Sequence, residues 1–169
     1  MPLHQEANSV TLKHKSPRMT SWGVGPKFAF VSLAIGIVLI LVNGFVFPAL
    51  ILRFNPFMFS SGAILILLGS TLCILAAVQV HRAFDQGELI TEGIYAYVRN
   101  PVYAAWVLLI SPGLVLITGF LLLTVMPFIM YFLTRTLIGE EDAYLEQKFG
   151  KEYFEYKKRV NSIIPKLTK

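Results

Sequence analysis

Of 169 residues, 55% are hydrophobic and 15% charged, with a formal net charge of +5. Soluble domains carry roughly a quarter charged residues, so an ordinary water-soluble fold is excluded. The apolar residues also cluster. The stretches from Phe28 to Leu52, Phe54 to Val80 and Pro101 to Thr134 contain no charge, and each is long enough to cross about 30 Å of hydrocarbon. An all-α, polytopic membrane protein with about four spans follows. A basic surplus on so apolar a chain suits anionic lipid headgroups rather than nucleic acid.

Residues 1–27 form a basic tail carrying Lys13, Lys15, Arg18 and Lys27. They lack the apolar core of a cleavable signal peptide, so the first helix is expected to be a retained anchor. That helix is expected from Phe28 to Phe47, with Pro48 ending it and Arg53-Phe54-Asn55-Pro56 turning the chain. A second helix is expected from Phe57 to Val80, which completes a 28–80 unit of two spans. Cys73 is the single cysteine, and His4, His14 and His81 are scattered, so neither a disulfide nor a metal site is expected.

The remaining unit, residues 81–169, holds the polar features. Its connector reads HRAFDQGELITEGIYAYVRNPVY from His81 to Tyr103. Asn100-Pro101 is a good helix start, whereas Gly93, Tyr95, Tyr97, Arg99 and Tyr103 exceed what a helix start needs and can equally form an aromatic belt. The block from Pro101 to Thr134 would make one helix of about 51 Å, so a hairpin is expected, broken near Thr118-Gly119. Pro112-Gly113 is the rival break, and a single long tilted helix is the plain alternative. With four spans, fourteen of the fifteen Lys and Arg residues fall on one side, leaving Arg53 on the other. That side, with both termini, is expected to be cytoplasmic.

From Gly139 onward the chain is charged and helical in pattern, with Tyr144, Leu145, Phe149, Tyr153, Tyr156 and Val160 recurring at spacings of three or four. Gly150 is expected to divide this tail into two short helices. Glu140-Glu141-Asp142 follows an apolar helix directly. These acids can serve the N-terminal dipole of a tail helix or pair with Arg135, Arg99 or Lys148, or one of them can face inward and hold a ligand. Arg135 either snorkels or grips an anionic group through its planar fork.

GELITEGIYAYVRNPVY, a hydrophobic hairpin, and then EEDAYLEQKFGKEYFEYKKRVNSIIP together resemble the isoprenylcysteine carboxyl methyltransferase family and its prokaryotic relatives, within the phospholipid methyltransferase superfamily. The match covers about Leu89 to Pro165. The resemblance implies a membrane methyltransferase that uses S-adenosyl-L-methionine without a Rossmann fold, consistent with the absence of G-x-G-x-x-G after a strand. It assigns Gly87, Glu88, Leu89, Ile90, Tyr95, Asn100, Pro101, Val102, Tyr103 and Glu141 to the cofactor. It leaves Tyr97 as a packing residue, and with Glu141 at a family position, Arg135 and Arg99 join it as catalytic candidates. The implied substrate is a lipophilic small molecule or prenylated group bearing a carboxylate.

Two residues depart from the family pattern. Asn100 stands where the eukaryotic enzymes carry histidine, which keeps hydrogen bonding but removes a titratable group. Leu137 stands where they carry a substrate-binding arginine, and Arg135, about 200° around the helix, cannot replace it. An amine or thiol acceptor such as a phospholipid headgroup, with Glu141 or a tyrosine as base, is therefore a second reading. A non-catalytic bundle or sterol-reductase-like relative is a third.

Overall fold

The computed structural model describes residues 23–165; Lys13, Lys15, Arg18, His4 and His14 of the basic tail lie outside them. Among the described residues, four helices are long and apolar enough to cross a membrane, as expected. They are α1 (Gly25–Phe45), α2 (Pro56–Gln86), α3 (Pro101–Thr118) and α4, whose α-helical part is Met126–Phe149 after a 3-10 turn at Leu121–Val125. A fifth helix, α5 (Lys151–Arg159), is short and polar. Only 17% and 11% of the apolar windows of α1 and α2 are buried within the protein. Phe30, Leu33, Phe45, Phe57 and Leu67 point outward. Outside a bilayer so much exposed apolar surface would drive aggregation.

Several expected boundaries shift. Helix α1 starts three residues earlier than expected, with Pro26 in its first turn, and it ends at Phe45 before the 3-10 turn Pro48–Leu50. Helix α2 runs past Val80 to Gln86, because nothing in His81 to Gln86 forbids helix, and it stops where Gly87 adopts φ 72°. The hairpin breaks at the expected place: Gly119, at φ 69°, ends α3. A side chain there would lie 2.8 Å from the Leu52 carbonyl, whose own amide donates to Gly119 O at 2.9 Å. Pro112-Gly113 breaks nothing, although a π-helical turn, Trp106–Ile110, precedes it.

The larger correction concerns the tail. Gly139 does not interrupt the chain, and α4 continues to Phe149 before Gly150 breaks it at φ 55°. Glu140, Glu141 and Asp142 therefore sit inside a long helix rather than at the start of one. They do not start a tail helix, so the dipole of one does not account for them.

Helices α2 and α3 pack through a seam of small residues. Gly62, Gly69, Ala76 and Ala83 are the buried residues of α2, spaced every seven positions. A Cβ on Gly62 would lie 2.7 Å from Gly113 O, and one on Gly69 would lie 2.6 Å from Ile110 Cγ1. In lipid, where apolar side chains gain nothing by meeting each other, such close backbone approach is what holds helices together. Helix α1 closes the bundle at both ends. At one end Phe28 packs on Tyr103, with ring centroids 5.0 Å apart. At the other the fully buried Asn43 accepts from Leu122 N at 2.9 Å and donates to Phe47 O at 3.3 Å.

Candidate active site

At the end of the bundle where α2 stops and α3 starts, a cavity of about 430 Å³ opens. This is within the usual range for small-molecule sites, roughly 300 to 1,000 Å³. Its wall comes from α2 (Cys73, Ile74, Ala77, Phe84), the connector with the start of α3 (Glu88 to Ile90, Tyr95, Arg99 to Tyr103), and α4 with α5 (Glu141, Tyr144, Lys148, Tyr153). The two segments singled out by sequence thus face each other across one space.

The connector reaches this position through tertiary hydrogen bonds. Glu92 and Gly93 lead into a 3-10 turn, Gly93–Ala96, that buries Tyr95. The Tyr95 hydroxyl donates to Ala76 O in α2 at 3.2 Å. Its carbonyl accepts from the Tyr156 hydroxyl of α5 at 2.7 Å. Burial pushes the phenols of Tyr95, Tyr153 and Tyr156 above the usual tyrosine range, so all three act as neutral donors. After α5 the chain doubles back across the connector: Arg99 N donates to Asn161 O at 2.9 Å and Asn100 N to Ser162 O at 3.0 Å.

The three acids separate by function. Glu140 is exposed and pairs with Lys27 at 2.7 Å. Asp142 lies in a half-buried ionic cluster, accepting from Arg99 Nη1 at 2.9 Å, from Lys157 Nζ at 2.7 Å and from the Tyr153 hydroxyl. The Lys157 ammonium is held above its ordinary pKa by these bonds to Asp142 and Glu146. Glu141 lines the cavity: its Oε1 accepts from Val24 N at 3.3 Å and from the Tyr103 hydroxyl at 3.5 Å. Its Oε2 is buried with no partner among the described residues. A buried carboxylate oxygen left without a donor is costly, and such an atom beside a cavity is suited to meet a ligand.

Of the residues proposed from sequence, Glu88, Leu89, Ile90, Tyr95, Arg99, Asn100, Pro101, Val102, Tyr103 and Glu141 all line this cavity. Gly87 does not, and its place is the left-handed cap of α2. Arg135 is exposed on α4 and takes no part in the lining. Tyr97 is exposed and also lies outside it. The Asn100 Nδ2 also donates to Ser162 Oγ at 3.1 Å. The α2 wall and Gly23 were missed, because an apolar residue facing a cavity and one facing lipid look alike in sequence. Lys148 belongs to the same missed set.

The fold and cavity define a multi-pass helical membrane protein with a ligand-sized space where two polar motifs converge at the end of the bundle. The chain belongs to the isoprenylcysteine carboxyl methyltransferase (ICMT) family, whose model matches residues 63–147. It is 29% identical over 134 residues to the protein-S-isoprenylcysteine O-methyltransferase of Schizosaccharomyces pombe, an alignment covering 73% of this chain and 57% of that protein. With the human protein-S-isoprenylcysteine O-methyltransferase it shares 40% identity over 90 residues, covering 48% of this chain and 28% of the relative. A probable protein-S-isoprenylcysteine O-methyltransferase of Oryza sativa subsp. indica is 28% identical over 113 residues, covering 62% and 59%. The chain therefore spans less than two thirds of the length of each relative.

Proposed function

We propose that this protein is a membrane carboxyl O-methyltransferase that moves a methyl group from S-adenosyl-L-methionine to a lipophilic carboxylate delivered from the bilayer. The observation that carries this reading is the unpartnered Glu141 Oε2 at the wall of a cavity built by both motif segments. The residues present fit such a donor. Glu141 offers one free acceptor oxygen to hydroxyl or amine groups, and the rings of Tyr95 and Tyr103 give a face to a sulfonium. When bound, the donor supplies an electrophilic methyl group on a positively charged sulfur.

A carboxylate acceptor needs no base. The protein has to align the acceptor oxygen with the methyl carbon and keep water out, and such alignment can supply most of the rate gain. The α2 wall of Cys73, Ile74, Ala77 and Val80 gives an apolar flank toward the bilayer side of the cavity. In this reading residues 81–169 carry the chemistry and residues 28–80 anchor and wall it. In this reading the motif end, with both termini, faces the cytoplasm, which the basic bias supports.

The test is transfer of a labelled methyl group from S-adenosyl-L-methionine to N-acetyl-S-farnesylcysteine and to a total lipid extract by purified protein. A base-labile labelled product supports carboxyl methylation. A base-stable product supports the amine or thiol reading, which Leu137 favours, since it packs against the core and offers no charge to a carboxylate. No donor binding and no product would leave a non-catalytic bundle.

A further inference from the structure

Few cationic side chains face the cavity. Leu137 packs against the apolar core, and Arg135 is exposed outside the cavity. Of the Lys and Arg residues that line the cavity, Arg99 is tied through Nη1 to Asp142 at 2.9 Å, a carboxylate it shares with Lys157, while its Nε is buried with no partner among the described residues. The other is Lys148. It forms no ion pair within 4 Å among the described residues, although Glu88 lines the same cavity.

Lys148 is nevertheless positioned. Its Nζ lies 5.4 Å from the ring centroid of Phe84 on α2 and 4.9 Å from that of Phe149 on its own helix. The ammonium is thus held across the α2–α4 mouth by two aromatic faces rather than by a carboxylate. It also follows Glu141 by seven residues, which brings it back to the same face of α4 to within about 20°, roughly 10 Å further along the axis. One stripe of α4 therefore presents a carboxylate inside the cavity and an ammonium at its mouth. Aromatic faces orient a cation but leave its hydrogen-bond donors unspent.

We infer that Lys148 is a ligand-recognition residue that binds a carboxylate at the cavity mouth. Resting on the methyltransferase reading, the inference leaves two sources for that group: the amino-acid end of the methyl donor and the acid of the acceptor.

The experiment compares wild type, Lys148→Met and Lys148→Arg in detergent by calorimetry. The donor-side probes are S-adenosylhomocysteine, which carries the carboxylate, and 5′-methylthioadenosine, which lacks it. The acceptor-side probes are N-acetyl-S-farnesylcysteine and its carboxamide. Loss of an uncompensated charged hydrogen bond at a partly open mouth should weaken carboxylate binding about five- to tenfold. If the carboxylate is the donor's, Lys148→Met weakens S-adenosylhomocysteine and leaves 5′-methylthioadenosine unchanged. If it is the acceptor's, the same variant weakens the acid and spares the carboxamide. Lys148→Arg retains most of the affinity in either case, and an unchanged melting temperature confirms that the Met variant is folded. Lys148→Met binding all four probes like wild type overturns the inference alone. Wild type binding neither S-adenosylhomocysteine nor the farnesylated acid overturns the methyltransferase reading and the inference together.

Discussion

Glu141 and Asp142 are neighbours in sequence, yet Glu141 faces the ligand cavity while Asp142 turns to the Arg99–Tyr153–Lys157 cluster between α4 and α5. Successive helical residues diverge by about 100°, so a row of three acids is sorted into three environments. Glu141→Gln should lower donor affinity by about 2 to 4 kcal/mol with little loss of fold. Asp142→Asn should do the reverse, leaving the Arg99 charge under-compensated and costing about 3 kcal/mol of stability. Glu140→Gln should change neither by much, since its pair with Lys27 is exposed. Calorimetry and thermal melts on the three variants separate these outcomes, and a binding defect confined to Asp142→Asn would reverse the assignment.

The phenols of Tyr95, Tyr153 and Tyr156 give a pH prediction. Their folded pKa values are raised by burial, so the neutral forms stabilise the fold. For an acid with a raised folded pKa, that stability is fully present below the unfolded value of about 10 and is lost as pH rises above it. Melting temperature should therefore be insensitive to these groups from neutral pH to about pH 9 and fall beyond about pH 10. Tyr153→Phe with Tyr156→Phe should shallow the alkaline fall, read by thermal melts alongside phenolate absorbance. An equal slope in the double variant would show that other groups titrate.

Much of the architecture was legible because the membrane imposes simple rules. Charge-free runs marked the spans, and Gly119 marked the hairpin because a left-handed turn there needs a missing side chain. The convergence of the connector and the acidic motif followed from counting crossings. What sequence concealed has physical reasons too. Gly139 lies inside α4 without breaking it, because a glycine lowers helix propensity by about 1 kcal/mol and packing can override that. The α2–α3 seam was invisible to a search for apolar periodicity, since its signal is the repeat of small residues at Gly62, Gly69, Ala76 and Ala83. The contact of Val24 N with Glu141 joins positions 117 residues apart, beyond any local pattern.

That seam is a direct target. At Gly69 a new side chain meets Ile110 and Leu109, and at Gly62 it meets the Gly113 backbone. Gly69→Val and Gly62→Val should each force α2 from α3 and cost at least about 2 kcal/mol, in the range of overpacked cores. Gly44→Val, where nothing lies within 4 Å of the added Cβ, is the control. Melting temperatures in detergent that fall no further at Gly62 and Gly69 than at Gly44 would show that the seam does not set the effect.

The segment after α5 should hold the cavity's connector in place. Ile163 is 2% exposed and belongs to the main core, while Asn161 and Ser162 accept from the amides of Arg99 and Asn100. Ile163→Ala should cost about 2 to 4 kcal/mol by leaving a void. Ser162→Ala removes one side-chain bond to Asn100 but none of the backbone pairs, and should cost about 1 kcal/mol. Ile163→Ala loosens the segment that holds the Arg99–Asn100 backbone and Ser162→Ala frees the Asn100 side chain, so donor affinity should fall in both, and adding Ser162→Ala to Asn100→Ala should weaken binding no further than Asn100→Ala alone. A double-mutant cycle on these two residues measures this coupling. Fully additive losses would show that Asn100 acts on the ligand independently of Ser162.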